Sequence, residues 1–534
     1  MIELTVARIA EIVGGTLSGI SADDAARTVV SGTVEFDSRA VRPGGLFLAL
    51  PGARSDGHDH AAAAIAAGAV AVLAARPVGA PAIVVAPANL AVTGADRSGV
   101  LEHDADGSGA AVLAALAALA AAVATELVAG GLTIIGITGS SGKTSTKDLV
   151  AAVLEPLGEV VAPPGSFNNE LGHPWTVLRA TRDTRYLVLE MSARHPGNIA
   201  ALARIATPAI GVVLNVGTAH LGEFGSREVI ARTKSELPQS VPPSGVVILN
   251  VDDPAVAAMA SVTAARVVRV GRAAAHSGAP GQTLDVWAGP VRLDDSARPR
   301  FTLHTHDASS EIALGVFGDH HVSNALCAAA VALECGAELD QVATALAAAG
   351  PISRHRMQVT DRADRVTIID DSYNANPDSM RAGLQALVWI ARGGQDSPGA
   401  LAAPARRSWA VLGEMGELGV ESISEHEDIG RLAVRLDVSR LVVVGSGRSV
   451  NAMVLAARSQ RTPRSGSADG EGGGHTVVHV ADADAALAVL GEHLQPGDVV
   501  LIKASNAVGL SALADALIAE TTPGAGPNDG SLCP

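Results

Sequence analysis

The stretch Thr133-Ile-Ile-Gly-Ile-Thr-Gly-Ser-Ser-Gly-Lys-Thr-Ser-Thr-Lys-Asp-Leu-Val150 narrows the choice of fold more than any other in the chain. A β-branched run breaks at Gly139-Ser-Ser-Gly142 and gives way to helix formers, so a buried strand feeds a glycine-rich turn and a helix start. Backbone amides in such a turn, with the helix dipole behind them, make an anion site suited to phosphate. Lys143 is placed to neutralise terminal phosphates, and the Thr144 hydroxyl to hold magnesium. The spacing is irregular: Ile137 stands where a strict phosphate loop has glycine, and the first glycine is displaced to Gly139. The bland alternative is an ordinary Gly/Ser turn with a surface lysine, but strand, turn, Lys-Thr and helix in this order favour a nucleotide.

From this stretch onward strand and helix patterns alternate, the signature of a parallel sheet. Strands are expected at 132–138, 187–189, 210–215 and 246–250, each a continuous apolar run as when both sheet faces are covered. Residues 272–311 are irregular, with strand-like pieces at 284–287 and 301–305 that suit a small hairpin, and 318–336 reads as a helix. Upstream, a helix at 6–13 and strands at 28–34, 46–50 and 70–73 describe a mixed α/β unit. A polar, glycine-rich loop at 92–109 and a long helix at 110–128 close it, with Gly130-Gly131 as a hinge. Downstream of Pro351-Ile-Ser-Arg-His-Arg356, strands at 366–369, 409–412, 441–444, 476–479 and 499–502 form a Rossmann-like α/β unit without the glycine fingerprint. Low-complexity stretches near 393–408 and 459–475 read as surface loops. The 534 residues thus divide into three α/β domains, at 1–129, 130–350 and 351–520, with 521–534 a Pro/Gly-rich disordered tail.

A formal net charge of -16 with no basic run argues against a nucleic-acid partner. Cys327, Cys335 and Cys533 lack metal spacing and leave one unpaired in any disulfide scheme, which fits a reducing compartment. The N-terminal segment has no basic region ahead of its apolar residues, so a signal peptide is not expected. The longest apolar run, 110–124, is short of the roughly 20 residues of a membrane span. Leu113, Leu116 and Leu119 recur in it at helical spacing, as in a packed helix. A soluble cytoplasmic protein without a membrane span is the expectation.

In α/β sheets ligands bind beyond the carboxyl ends of strands. Three central strands end there in the phosphate loop, in Glu190, and in Gly217-Thr-Ala-His220. Singly, Glu190 is as well a cap and His220 a structural loop histidine; their shared location favours a metal–nucleotide centre. Lys234 and Glu236 follow on a helix that reads equally as a solvated face. Asn168-Asn169 lies in a Gly-rich loop and is as well a turn pair. Asp370-Asp-Ser-Tyr-Asn-Ala-Asn-Pro377 ends a strand in the third unit, where carboxylates suit ribose hydroxyls and asparagines suit peptide amides.

Taken together, these segments resemble the Mur ligase family, the ATP-dependent amide-forming enzymes of peptidoglycan synthesis. The similarity runs from Asp37-Ser-Arg39 to Lys503-Ala-Ser505, and the displaced glycine of Thr138-Gly-Ser-Ser-Gly-Lys-Thr-Ser145 is the family's own variant. Phe167-Asn-Asn-Glu-Leu-Gly172, the segment 370–377 and Gly413-Glu-Met-Gly-Glu-Leu-Gly419 are its most specific motifs. They point to the branch that joins D-alanyl-D-alanine to a UDP-N-acetylmuramoyl-tripeptide. The Asp-Asn-Pro-Arg motif usual in the branch that adds the third amino acid is absent from this chain.

The resemblance implies that Gly139, Ser140, Ser141, Gly142, Lys143, Thr144 and Ser145 wrap the ATP phosphates, with Asn324 at adenine and Arg356 and Asp371 reaching the nucleotide from the last domain. It implies two Mg2+ ions held by Thr144, Glu190, His220 and Lys234, the lysine being carbamylated by carbon dioxide, with Lys143, Lys234, His220 and Glu190 catalytic. Asp37, Ser38 and Arg39 are implied at the UDP-sugar, Asn168, Asn169, Asn374 and Asn376 at the peptides, and Lys503 and Ser505 near the incoming dipeptide's carboxylate. The implied enzyme is a monomer acting through an acyl phosphate. Two departures stand out: Ser192 replaces a glycine usual after the second strand, and His321 replaces a frequent asparagine. Competing readings are another ligase of the superfamily, such as a folylpolyglutamate synthase, a P-loop ATPase of another class, and a binding protein without activity.

Overall fold

The computed structural model describes residues 1–53, 55–87, 99–163, 165–217, 221–272, 283–394, 406–460 and 476–519. His220, Cys533, the 521–534 tail and most of the expected low-complexity loops lie outside them. Among the described residues there are four sheets: a five-stranded and a two-stranded sheet in the first expected unit, a ten-stranded sheet in the second and a six-stranded sheet in the third.

In the first unit, Gly45–Leu48 and Ala69–Ala74 pair in parallel at the sheet centre, and Thr16–Ser18 adds an antiparallel edge. The strand expected at 28–34 is two short strands, Val29–Val30 and Val34–Glu35, in different sheets. Gly32 lies between them, and a Cβ on it would stand 2.8 Å from the Gly45 amide nitrogen, so the chain turns where only glycine fits. The helix Ser108–Ala129 is longer than its apolar run implied and, at 22 residues, is the one described helix long and apolar enough to cross a membrane. Its Val112, Leu116, Leu119 and Val123 are instead buried in one core with Val6, Ile9 and Leu46 of the first unit and Ile134, Leu187 and Leu189 of the second. Each such leucine or isoleucine stabilises by about 1.5–3 kcal/mol, so this helix cements the two units.

The central sheet has ten strands. Seven are parallel, in the order Val160–Val161, Tyr186–Glu190, Thr133–Thr138, Ile210–Val213, Val246–Asn250, Arg266–Arg272, Val286–Ala288. The expected hairpin is an antiparallel extension of the same sheet, Pro299–His304 pairing with Val286–Ala288 and with Ser309–Ala313. The third sheet runs Gln358–Asp361, Thr367–Asp370, Val499–Lys503, Ser408–Leu412, Arg440–Val444, Thr476–Val480, parallel except for its first pair. The carboxyl ends of the second and third sheets contribute facing walls to one cleft.

Candidate active site between the second and third units

The cleft has a volume of about 1230 Å³. At its floor the phosphate loop leaves Thr133–Thr138 and enters the helix Lys143–Leu154. Asn215, at the end of the neighbouring strand, accepts from the amides of Ser140 (2.9 Å) and Ser141 (3.0 Å) and donates to the Ser141 carbonyl at 3.2 Å. Gly142 adopts φ 81°, and a Cβ there would lie 2.7 Å from Asn324 Oδ1, so the loop and Asn324 touch only because residue 142 is glycine. Lys143 Nζ donates to the Gly139 carbonyl at 2.8 Å. Burial pushes its pKa down, with the Glu190 carboxylate opposing the shift.

Glu190 ends its strand beneath the loop, only 3 % exposed. Its Oε2 accepts from Thr144 Oγ1 (3.2 Å), Ser166 Oγ (3.1 Å) and Asn168 Nδ2 (3.4 Å). Its Oε1 is buried with no partner among the described residues. An orphaned carboxylate oxygen is costly, and beside a threonine hydroxyl it is half of a hard-cation site. An all-oxygen set that leaves room for phosphate and water oxygens fits Mg2+. Lys234 closes the helix Arg227–Lys234, buried. Desolvation and then the nearby Lys143 charge hold its pKa well below the ordinary lysine value, which favours the neutral amine.

The opposite wall comes from the third unit. Lys503 is fully buried and pairs with Asp371 Oδ2 at 2.6 Å while donating to the Asn374 carbonyl at 2.8 Å. Asp371 Oδ1 accepts from the Met357 amide at 3.2 Å, so both its oxygens are engaged within the protein. Arg356 lies over the Tyr373 ring at 4.2 Å and reaches Thr144 Oγ1 at 3.5 Å, joining the walls. Its neighbours His355 and Met357 have φ of 61° and 49°, and His355 Nδ1 meets Asp370 Oδ2 at 2.7 Å. Two non-glycine residues in the left-handed region mark strain held by these anchors.

The structure thus gathers Ser140 to Ser145, Asn168, Asn169, Asn324, Arg356, Asp371, Asn374, Asn376, Lys503 and Ser505 on the cleft, with Glu190 directly below. Several also hold backbone: Asn169 accepts from the Gly172 amide (2.9 Å), Asn376 caps the helix Pro377–Ala391, and Ser505 Oγ accepts from the Gly416 amide (2.6 Å). Asp37, Ser38 and Arg39 are not on the cleft; Arg39 is bound to Asp37 (2.8 Å) with an exposed guanidinium. That segment packs instead on the second unit, where Phe36 is edge-on to Trp175, whose Nε1 donates to the Val34 carbonyl at 2.8 Å. Asn215 and His355 were not given a role from the sequence, and Asp370 only as part of the motif 370–377. A position at a strand end was the one signal for Asn215 and Asp370, whereas His355 sits in a turn whose left-handed backbone the sequence does not announce.

Comparison with known proteins agrees with this geometry. Three family models match: "Mur ligase family, catalytic domain" over 32–122, "Mur ligase middle domain" over 137–332, and "Mur ligase, glutamate ligase domain" over 355–506. The chain is 72% identical over 525 residues to UDP-N-acetylmuramoyl-tripeptide--D-alanyl-D-alanine ligase of Mycobacterium tuberculosis, covering 98% of this chain and 99% of that protein. It is 33% identical to the Escherichia coli protein of the same name, over 83% of this chain and 86% of that one. A crystal structure of MurF from Acinetobacter baumannii superposes with TM-score 0.75 at 28% identity, covering 97% of this chain and 99% of that chain. MurF from Thermotoga maritima in complex with ADP gives 0.67 at 26% identity, over 92% of this chain and 98% of that chain. With its own phosphate loop, its strand-end glutamate and all three domain models in order, the chain belongs to the Mur ligase family.

Proposed function

We propose that this chain joins D-alanyl-D-alanine to a UDP-N-acetylmuramoyl-tripeptide at the expense of ATP, the reaction for which its 72%-identical relatives are named. The observation that carries the reading is Glu190, whose Oε2 accepts from Thr144 of the phosphate loop while Oε1 has no partner among the described residues, on a cleft that Thr144 lines together with Asn374 and Asn376 of the third unit. The tripeptide's terminal carboxylate attacks the γ-phosphorus, the bond to the bridging oxygen breaks, and an acyl phosphate and ADP result. The dipeptide amine then attacks the acyl carbon, loses a proton and expels phosphate. Thr144 and Glu190 would hold Mg2+, which would supply charge neutralisation as the carboxylate approaches the triphosphate. Lys143 adds a positive charge at the terminal phosphate, and Arg356 adds another from the second wall. Closure of the third unit over the cleft keeps water from the acyl phosphate.

The proposed division of labour places UDP-sugar binding on 1–129 through Asp37, Ser38 and Arg39, ATP on 130–350, and dipeptide selection on 351–520. Asn168, Asn169 and Asn374 are proposed at the peptides, and Asn324 at adenine. His220 is proposed as a further metal ligand; it lies outside the described residues. Lys234 is proposed to be carbamylated: a neutral buried amine is the form that attacks carbon dioxide, and the resulting anion would hold a second Mg2+. A carbon-13 carbamate signal lost in Lys234→Ala checks this without reference to turnover. A cytoplasmic monomer is part of the same proposal, supported by the charge of -16 and the sparse cysteines.

The test is phosphate release from ATP. It is expected only when UDP-tripeptide and D-alanyl-D-alanine are both present. Release that is unchanged when either is omitted overturns the ligase reading in favour of a simple ATPase.

A further inference from the structure

One turn beyond the phosphate loop, the helix Lys143–Leu154 carries two buried charges that the reaction does not use. Lys147 and Asp148 pair at 3.0 Å with side chains 3% and 8% exposed. Lys147 Nζ also donates to the carbonyls of Pro163 (2.6 Å) and Gly165 (3.2 Å). Asp148 Oδ2 accepts from the Ser353 amide at 3.0 Å, and Ser353 Oγ accepts from the Gly165 amide at 3.3 Å. These contacts close a ring: phosphate-loop helix, the loop beginning at Gly165, and the linker into the third unit.

Each member of the ring leads directly to the chemistry. Gly165 precedes Ser166 and Asn168, which both bond Glu190. Ser353 precedes Arg356, which reaches Thr144 from a strained turn. A void of about 20 Å³ beside Asp148, Ser353 and Arg356 has room for roughly one water, so the linker has little freedom except to move with the helix. Charges this deeply buried are costly to separate, so the ring holds its members in one arrangement.

We propose that Lys147, Asp148 and Ser353 are positioning residues that couple ATP at the phosphate loop to the peptide-facing loop and to Arg356. Nucleotide binding then tightens binding of the UDP-tripeptide, and the reverse holds by linkage. The inference rests on the ligase reading above.

The experiment uses the full chain and isothermal titration calorimetry. The Kd of UDP-tripeptide is measured with and without a non-hydrolysable ATP analogue and Mg2+, for wild type, Ser353→Ala, Ser353→Thr and Asp148→Asn. Ser353→Ala deletes the bond to Gly165 but keeps the backbone bond to Asp148, so folding is preserved. The expected result is tighter tripeptide binding with nucleotide in wild type. That enhancement falls at least fivefold in Ser353→Ala and Asp148→Asn and returns in Ser353→Thr, while binary nucleotide affinity stays within twofold. Enhancement that is unchanged in Ser353→Ala, or absent from wild type, overturns the coupling. A wild-type chain that fails to bind UDP-tripeptide at all overturns the ligase reading instead, and the coupling with it.

Discussion

His173 sits on the helix Gly172–Val177 with no exposure, and neither ring nitrogen has a hydrogen-bond partner among the described residues. Burial drives its pKa down to about 4, and the nearby backbone groups of Glu190 and Leu202 offset this only in part. The unfolded chain therefore binds a proton near pH 6.5 that the folded chain refuses until about 4. The resulting stability is complete above the unfolded value and is lost as pH falls through the folded one, about 3 kcal/mol in all. His173→Leu removes the term, so the fall in melting temperature between pH 7 and pH 5 should shrink by several degrees. A variant with the wild-type pH dependence would show that another group is responsible. At the same scale, Gly142→Ala meets both a left-handed φ and Asn324 at 2.7 Å. Its KM for ATP should rise at least tenfold with little change in melting temperature, about 1–2 kcal/mol of local strain. The convergence of Lys143, Thr144 and Glu190 was legible in the sequence because their place at neighbouring strand ends suffices. Asn215 was not, because its acceptor role depends on an amide pair 75 and 74 residues away.

Strands and helices were legible where their surroundings are uniform. Val246–Asn250 and the helix Val6–Val13 fall at the expected limits, since a run buried on both faces or a clean amphipathic stripe needs no tertiary information. Val160–Val161 and Arg266–Arg272 escaped notice: one is too short to show a period, and the other interrupts its apolar residues with arginine. Asn376 shows how an element can explain a residue assigned from a motif. Its side chain accepts from the Ser379 amide at 2.9 Å and caps Pro377–Ala391 in a reciprocal box. Asn376→Ser keeps the cap and Asn376→Ala loses it, at a cost of about 1 kcal/mol. If capping is its whole role, the serine variant retains both melting temperature and dipeptide KM. A raised dipeptide KM in the serine variant establishes substrate contact in addition.

At the scale of the molecule, the second and third units also meet through Glu417, away from the Arg356 and Ser353 contacts already described. Arg194 pairs with Glu417 at 3.1 Å, and the Gly222 amide donates to the Glu417 carbonyl at 3.2 Å. Neither the ion pair nor the glycine contact was readable from sequence, because each joins segments about 200 residues apart whose meeting depends on how the sheets face one another. The ion pair is half exposed and contributes at most about 1 kcal/mol, so Arg194→Ala should change turnover little. Backbone contact is the firmer constraint. A Cβ on Gly222 would stand 2.5 Å from the Gly419 nitrogen, and Gly419 itself has φ 58°. Gly222→Val leaves the phosphate loop, Asn215 and Glu190 untouched but forces the two units apart. Its ATP Kd should stay within twofold while kcat falls at least tenfold, because Arg356 and the asparagine wall no longer complete the site. Small-angle scattering with nucleotide and UDP-tripeptide bound should show a larger radius of gyration than wild type. A variant with wild-type kcat would mean that this backbone contact plays no part in assembling the reactive arrangement.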